Sequence, residues 1–210
     1  MLHYERQAWK AGHHRVAGVD EAGRGPLAGP VVAATVLFDS AFLKAEADGL
    51  LAGLTDSKKL SPARREYFAA ILTQSPHVRI GVGQADVTEI DQINILRATH
   101  RAMARALEQL APLPDLALVD GLAVQGLPCP HQAIVGGDGL SLSIAAASVI
   151  AKVTRDRLMV ELDRQHPGYG FAAHKGYGTR EHLEALRRLG PLSCHRRSFG
   201  PVRQMDLGFR

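Results

Sequence analysis

Cysteine is nearly missing from this chain. Only Cys129 and Cys194 occur in 210 residues. Their spacing matches neither a metal-binding pair nor a disulfide framework, which excludes a cysteine-built zinc site and a cross-linked scaffold and suggests a reducing compartment. Long apolar runs are also missing, so no segment reaches the length a bilayer span requires. The opening stretch, MLHYERQAWKAGHHR, lacks the apolar core of a signal peptide. Cytoplasm, with no membrane partner, is therefore the expectation. Ten histidines are present, but none forms an HxH or HExxH set. There is no internal repeat and no linker that separates two domains. Charge of one sign is not extreme either: the net formal charge is +4 and the pI about 9.3. That balance is compatible with a polyanionic partner without establishing one.

What is present is an ordinary globular composition, 46% hydrophobic and 22% charged, enough for one large domain or one domain with an appendage. A short helix is expected before residue 15. Val16–Val19 and Val31–Phe38 read as strands joined by a glycine loop, GRGPLAGP. Residues 39–54 have room for a short helix. Ser61-Pro62 opens a helix, with serine as cap and proline at the first position. Val78–Gln84 alternates as a third strand. Residues 88–110 carry Ile90, Ile93, Leu96, Met103, Leu107 and Leu110 near helical spacing, with Thr88 as the expected cap and Asp91 three residues on. Leu116–Val119 and Ala133–Val135 are short apolar strands. Ser141–Arg164 is a long helix of small apolar residues with one polar stripe: Ser141, Ala145, Ser148, Lys152 and Asp156. Thr179 caps a final helix, Arg180–Leu189. The basic HRRSFGPV segment that follows holds an exposed phenylalanine, Phe199.

Carboxylates mark the strand ends. Asp20 and Glu21 follow the first strand, Asp120 the fourth and Asp138 the fifth. A single such aspartate is ordinarily a turn or cap residue. Several on one sheet rim would repel unless a cation joined them, and ligands that are all oxygen favour Mg2+ or Mn2+ over zinc. Successive strand residues face opposite sides. Asp20 and Glu21 therefore share a site only if the strand ends between or beside them, an ending that the following glycines permit. Asp156 is a competing fourth acid, but Lys152 one turn away offers it a salt bridge, so a structural role is expected. Ser57 and Lys58 in TDSKKLS read either as solvated loop or as phosphate contacts.

The stretch AGVDEAGRGPLAGPVVAA, together with TDSKKLS, LVDG, IAAASVIAKVTRDR, HKGYGT and HRRSF, resembles the ribonuclease HII family over nearly the whole chain. The resemblance implies a ribonuclease H-like α/β fold: a mixed five-stranded sheet flanked by helices, with residues 166–210 as a small helical, substrate-binding appendage to a single domain. It implies an endonuclease that cuts the RNA strand of RNA–DNA hybrids and cuts at ribonucleotides embedded in duplex DNA. Two-metal hydrolysis leaving 5′-phosphate and 3′-hydroxyl ends comes with it. Asp20, Glu21, Asp120 and Asp138 take the places of the family's metal-binding acids. Gly23, Arg24, Gly25, Ser57, Lys58 and Tyr177 take substrate-binding places. The family's tyrosine that senses the 2′-hydroxyl maps to Tyr177, with Tyr169 in PGYGF as the other candidate. His174 and His195 are expected to be solvated loop residues. One departure is Leu122, where the family often has asparagine after Asp120-Gly121. A monomer is expected, and the tail PVRQMDLGFR offers a weak candidate contact for a replication clamp.

Three other readings compete. A non-catalytic RNA–DNA hybrid-binding module would need the basic segments but not four strand-end acids. A nuclease of the same superfold, such as a junction resolvase, would share the acids but not obviously GRG and HKGYGT. A dinucleotide site fails, because acids intervene between strand and glycines and a strand follows Pro26 where a helix should open.

Overall fold

The computed structural model describes residues 1–206, with side chains through residue 204. In chain order the elements are α1 (His3–Lys10), β1 (Val16–Ala22), β2 (Val31–Phe38), α2 (Ser40–Glu46), α3 (Pro62–Gln74), β3 (Val78–Ala85), α4 (Val87–Glu108), β4 (Leu116–Asp120), β5 (His131–Ile134), α5 (Leu142–Gln165), α6 (Phe171–His174), α7 (Arg180–Leu189) and α8 (Gly200–Asp206). A 3-10 turn, Gly137–Gly139, separates β5 from α5. The strand order is β3-β2-β1-β4-β5. β1–β2 and β2–β3 pair antiparallel, while β1–β4 and β4–β5 pair parallel. This is the mixed five-stranded sheet expected.

Local chemistry starts the helices as read. The hydroxyls of Ser61, Ser141 and Thr179 accept from the third backbone N–H of α3, α5 and α7, those of Arg64, Ile144 and His182. α4 differs: its cap is Asp86, whose carboxylate accepts from the Glu89 N–H at 2.8 Å, and not Thr88. Asp91 instead faces outward and accepts from the Arg197 and Ser198 backbone N–H groups. α4 is also kinked at Asn94, which stands at φ 67.

β2 is buried along its whole length, since helices cover both sheet faces. On one face Ala34, Val36 and Phe38 pack against α3 and the small residues Ala145–Ala147 of α5. On the other, Val19, Ala33 and Val119 pack against Ala98, Ala102 and Met103 of α4. α5 approaches closely because β1 carries Gly18. A Cβ there would stand 2.0 Å from the Ser143 carbonyl carbon, so any other residue would push the helix off the sheet. The C-terminal elements close on a separate cluster in which Phe171, Leu186 and Val202 pack against Leu27, Ala28 and Met159. This apolar cluster fastens residues 166–204 to the glycine loop. Phe199 is half-buried against it rather than exposed.

Candidate active site

β1 does not end at Asp20. It continues through Glu21 to Ala22, paired with β2 as Asp20↔Ala34 and Glu21↔Ala33. Its pairing with β4 stops at Val19↔Val119, so the two parallel strands part at the carboxylates. Side-chain parity then decides which acids meet. Ala34 lies on the α5 face and Ala33 on the α4 face, so their partners Asp20 and Glu21 face opposite sides. Val119 faces α4, which puts Asp120 on the α5 face with Asp20. Asp138 enters from the 3-10 turn after β5, where the Gly137 N–H donates to Asp120 Oδ1 at 2.7 Å. Asp20, Asp120 and Asp138 each bring a carboxylate oxygen within 4.8 Å of the others. Glu21 is not part of this group. The expected early strand ending is corrected by the strand's extra length. Glu21 stands on the other face, yet near enough that its charge raises Asp20 and the charge of Asp120 raises Glu21.

The acids are held under electrostatic strain. Burial pushes the Asp20 carboxyl well above the usual carboxylate range, and the charges of Glu21 and Asp120 push it further, against lowering by the Glu21 N–H and the Ser148 hydroxyl. Burial also raises Glu21, partly offset by Arg24, 3.4 Å away. Burial and Asp120 raise Asp138. Lys58 responds in the opposite sense: burial opposes its charge, but Asp56, Asp20, Asp138 and Asp120 together raise it. Among the described residues this is the one group of three or more His, Cys, Asp or Glu side chains with metal-binding reach. Oxygen donors massed in a partly buried pocket, where burial and then neighbouring charge disfavour the ionised Asp20 and Asp138, fit a hard divalent cation.

A cleft of about 410 Å³ opens beside the acids, lined by Glu21, Gly23, Arg24, Gly25, Ser57, Lys58, Ser148, Lys152 and Tyr177. Each residue expected to bind substrate thus lines one cavity. Ser57 is buried, and its Oγ accepts from the Ser148 hydroxyl at 2.8 Å. Tyr177 is 45% exposed. Tyr169 is buried, and its hydroxyl donates to the Gly190 carbonyl at 2.6 Å, away from this cleft. Asp156 takes the salt bridge from Lys152 at 2.7 Å and stays outside the acid group. Glu21 and Arg24 also form one wall of a second cleft, about 500 Å³, bounded by Asp120, Leu122, Leu96 and His100. Leu122, 79% exposed, stands on its rim.

Two arginines that sequence reading passed over hold the glycine loop. Arg196 is fully buried and donates to the carbonyls of Gly23, Arg24 and Gly29 at 2.6–3.0 Å. Arg155, also buried, donates to Ala28, Pro30 and Lys175. Burial lowers Arg155 to about 10 and Arg196 to about 9, so both stay cationic at neutral pH. Gly23 stands at φ +96, and a Cβ on it would lie 1.9 Å from Arg155 Nε; glycine is required both for the turn and for the arginine beneath it. Nothing in the one-dimensional pattern marks these arginines except their place in the VTRDR and HRRSF segments.

His174 and His195 are likewise not solvated. His195 is 1% exposed and His174 half-buried, and both pack with His182 under the Tyr177 segment. No described helix is long and apolar enough to cross a membrane. The last four residues of the tail, Leu207–Arg210, on which the clamp reading partly rests, lie outside the described residues.

The family model for ribonuclease HII matches residues 17–202. A ribonuclease HII of Rhodospirillum rubrum is 61% identical over 191 residues, covering 90% of this chain and 86% of the relative. Among solved structures, the ribonuclease H2 from Pyrococcus horikoshii superposes with TM-score 0.75 at 28% identity, covering 93% of this chain and 98% of that one. The ribonuclease HII of Archaeoglobus fulgidus, solved as a complex with PCNA, superposes with TM-score 0.72 at 28% identity over 89% of this chain and 95% of that one. A strand-end aspartate group, a glycine loop braced by buried arginines, and a match spanning sheet and C-terminal part agree: the chain belongs to the ribonuclease HII family.

Proposed function

We propose that this protein hydrolyses the RNA strand of RNA–DNA hybrids and cuts duplex DNA at embedded ribonucleotides. The observation that carries this is the meeting of Asp20, Asp120 and Asp138 within 4.8 Å at the edge of a cleft lined by glycine-loop backbone, lysine and tyrosine. Water adds to phosphorus, the bond from phosphorus to the 3′-oxygen breaks, and that oxygen leaves with a proton as the 3′-hydroxyl, so the downstream strand keeps the 5′-phosphate. Asp20, Asp120 and Asp138 would hold the divalent cations, Mg2+ or Mn2+, with Glu21 as a further acid beside them. Bound there, such a cation pair supplies an activated water and neutralises charge on the leaving oxygen.

The chain's own groups bind and orient the substrate. Lys58, with its charge reinforced by the acids, and Ser57 take a backbone phosphate. Arg24 stays at the cleft through its contact with Glu21. The Gly23–Gly25 backbone and the Tyr177 hydroxyl read the 2′-hydroxyl, the group that separates RNA from DNA. Residues 1–210 act as one domain, and the C-terminal part from about residue 166 forms the substrate-binding wall that carries Tyr177. The protein acts as a cytoplasmic monomer in this reading. A clamp contact through the tail draws support from the PCNA complex of the Archaeoglobus fulgidus relative.

The test is cleavage of a DNA duplex holding one ribonucleotide, with Mg2+ or Mn2+, beside an all-DNA control. The expected product is a single nick with 5′-phosphate and 3′-hydroxyl ends and an intact control. Tight binding of a hybrid with no cleavage in either metal would favour the non-catalytic binding module.

A further inference from the structure

Tyr177 presents an unusual positioning problem. The residue is nearly half exposed, so its backbone anchors carry much of its placement. The Tyr177 N–H donates to the His174 carbonyl at 2.9 Å. The Tyr177 carbonyl receives two donors, the Thr179 N–H at 2.8 Å and the His182 ring nitrogen Nδ1 at 2.9 Å. His182 is fully buried. Its other nitrogen, Nε2, lies 3.1 Å from Nε2 of His195, and His195 Nδ1 receives the Leu192 backbone N–H at 2.9 Å.

These contacts fix where each proton sits. The Leu192 N–H can only donate, so His195 Nδ1 is an acceptor without a proton. A neutral His195 then carries its proton on Nε2 and donates to His182 Nε2. His182 must accept there, so its own proton is on Nδ1, aimed at the Tyr177 carbonyl. Two neutral rings in opposite tautomers satisfy the whole chain, from a fixed backbone donor to a fixed backbone acceptor. A proton added to either ring sets two N–H groups against each other. Burial agrees with this: it lowers His182 and takes His195 down to about 4, with the neighbouring histidine charge lowering His195 further.

We propose that His182 and His195 are positioning residues for ribose recognition, a directed two-histidine relay that anchors the Tyr177 backbone and thereby holds its ring at the mouth of the cleft. The relay rests on the reading of Tyr177 as the 2′-hydroxyl reader. It ties the C-terminal HRRSF segment, through ring protons rather than apolar packing alone, to the residue that reads the sugar. A misplacement of about 1 Å is enough to cost on the order of 100-fold in rate, so a loosened carbonyl anchor has a large lever.

The test combines a spectroscopic and a kinetic reading. Ring 15N shifts near pH 7 should show His195 protonated at Nε2 and His182 at Nδ1; reversed tautomers or an imidazolium at either ring overturns the relay. His195→Asn keeps an acceptor for the Leu192 N–H but no longer reaches His182. It should lower kcat on a single-ribonucleotide duplex by about 10-fold, while in a Tyr177→Phe background the same change should cost less than about 2-fold. His182→Asn keeps a donor near the Tyr177 carbonyl but gives up the contact with His195, so its kcat should fall between those of the unmodified protein and His182→Leu. His182→Leu should match the loss of His195→Asn, which keeps the test decisive where one variant fails to fold. Equal losses in both Tyr177 backgrounds, or no loss, overturn the relay alone. A Tyr177→Phe variant with unchanged kcat overturns the reading of Tyr177, and the relay's role with it.

Discussion

Asp120→Asn should inactivate the protein and, without divalent metal, make it more stable. The substitution keeps shape and preserves an Oδ1 acceptor for the Gly137 N–H at 2.7 Å, so the turn carrying Asp138 keeps its bond. What it removes is one of three carboxylate charges that meet within 4.8 Å. Two unit charges at that distance repel by about 3.5 kcal/mol at an effective dielectric near 20. Asp20 relieves part of this by retaining its proton to higher pH, through burial first and then the charges of Glu21 and Asp120. The expected gain is therefore smaller, about 1–2 kcal/mol. For a chain of this size that is a rise in Tm of roughly 2–8 °C in EDTA. Millimolar Mg2+ or Mn2+ should reverse the order, because a cation that binds the folded state stabilises the unmodified protein by mass action and the variant much less. Thermal unfolding of both proteins in EDTA and in metal, with cleavage of a single-ribonucleotide duplex measured alongside, reads all of this. A variant less stable than the unmodified protein in EDTA would refute the charge-strain argument. Normal turnover in Mg2+ would refute the metal role of Asp120.

The other predictions concern the cleft walls. Lys58→Ala should weaken binding of an RNA–DNA hybrid and reduce the slope of log K against log salt by about one, as loss of one phosphate contact does; an unchanged slope returns Lys58 to solvated loop. Arg196→Met strands the Gly23, Arg24 and Gly29 carbonyls, and should cost on the order of 3–5 kcal/mol in urea unfolding. Gly-loop disorder should accompany it, seen as cleavage at least about 10-fold slower at a temperature where the variant is still folded. Acid should loosen the C-terminal part, because His195 titrates at about 4 in the fold against an ordinary value of 6.5. Here the unfolded chain takes up the proton first, so stability is full above about pH 6.5 and declines as pH falls toward 4, by on the order of 3 kcal/mol at the limit. Groups facing that ring are His182, His166, Arg197, Cys194 and Tyr169. Urea midpoints of the unmodified protein and of His195→Asn at pH 7.5 and 4.5 check this; an identical pH dependence in the two removes His195 as its source.

Much of the architecture is decided within a few residues of chain. β2 was readable residue for residue because a strand buried on both faces is an unbroken apolar run, here Val31–Phe38. Ser61, Ser141 and Thr179 announced three helix starts because a cap is a contact between neighbours in sequence. The acids at the ends of β1 and β4 and after β5 were equally legible, since a carboxylate closing an apolar run is itself a local pattern. Tertiary structure alone decided which acids meet. Parity along β1 depends on where the strand stops, and β2 pairing carries it to Ala22, sending Glu21 to the face opposite Asp20. Tertiary structure also decided the tyrosines, because nothing in PGYGF says that the Tyr169 hydroxyl reaches Gly190 while Tyr177 stays in the cleft. The buried arginines and histidines were the hardest to see. A charged or polar ring reads as surface in sequence, since burial costs it water. Arg196 is buried only because carbonyls 167 to 173 positions away replace that water, and no window of sequence contains both donor and acceptor.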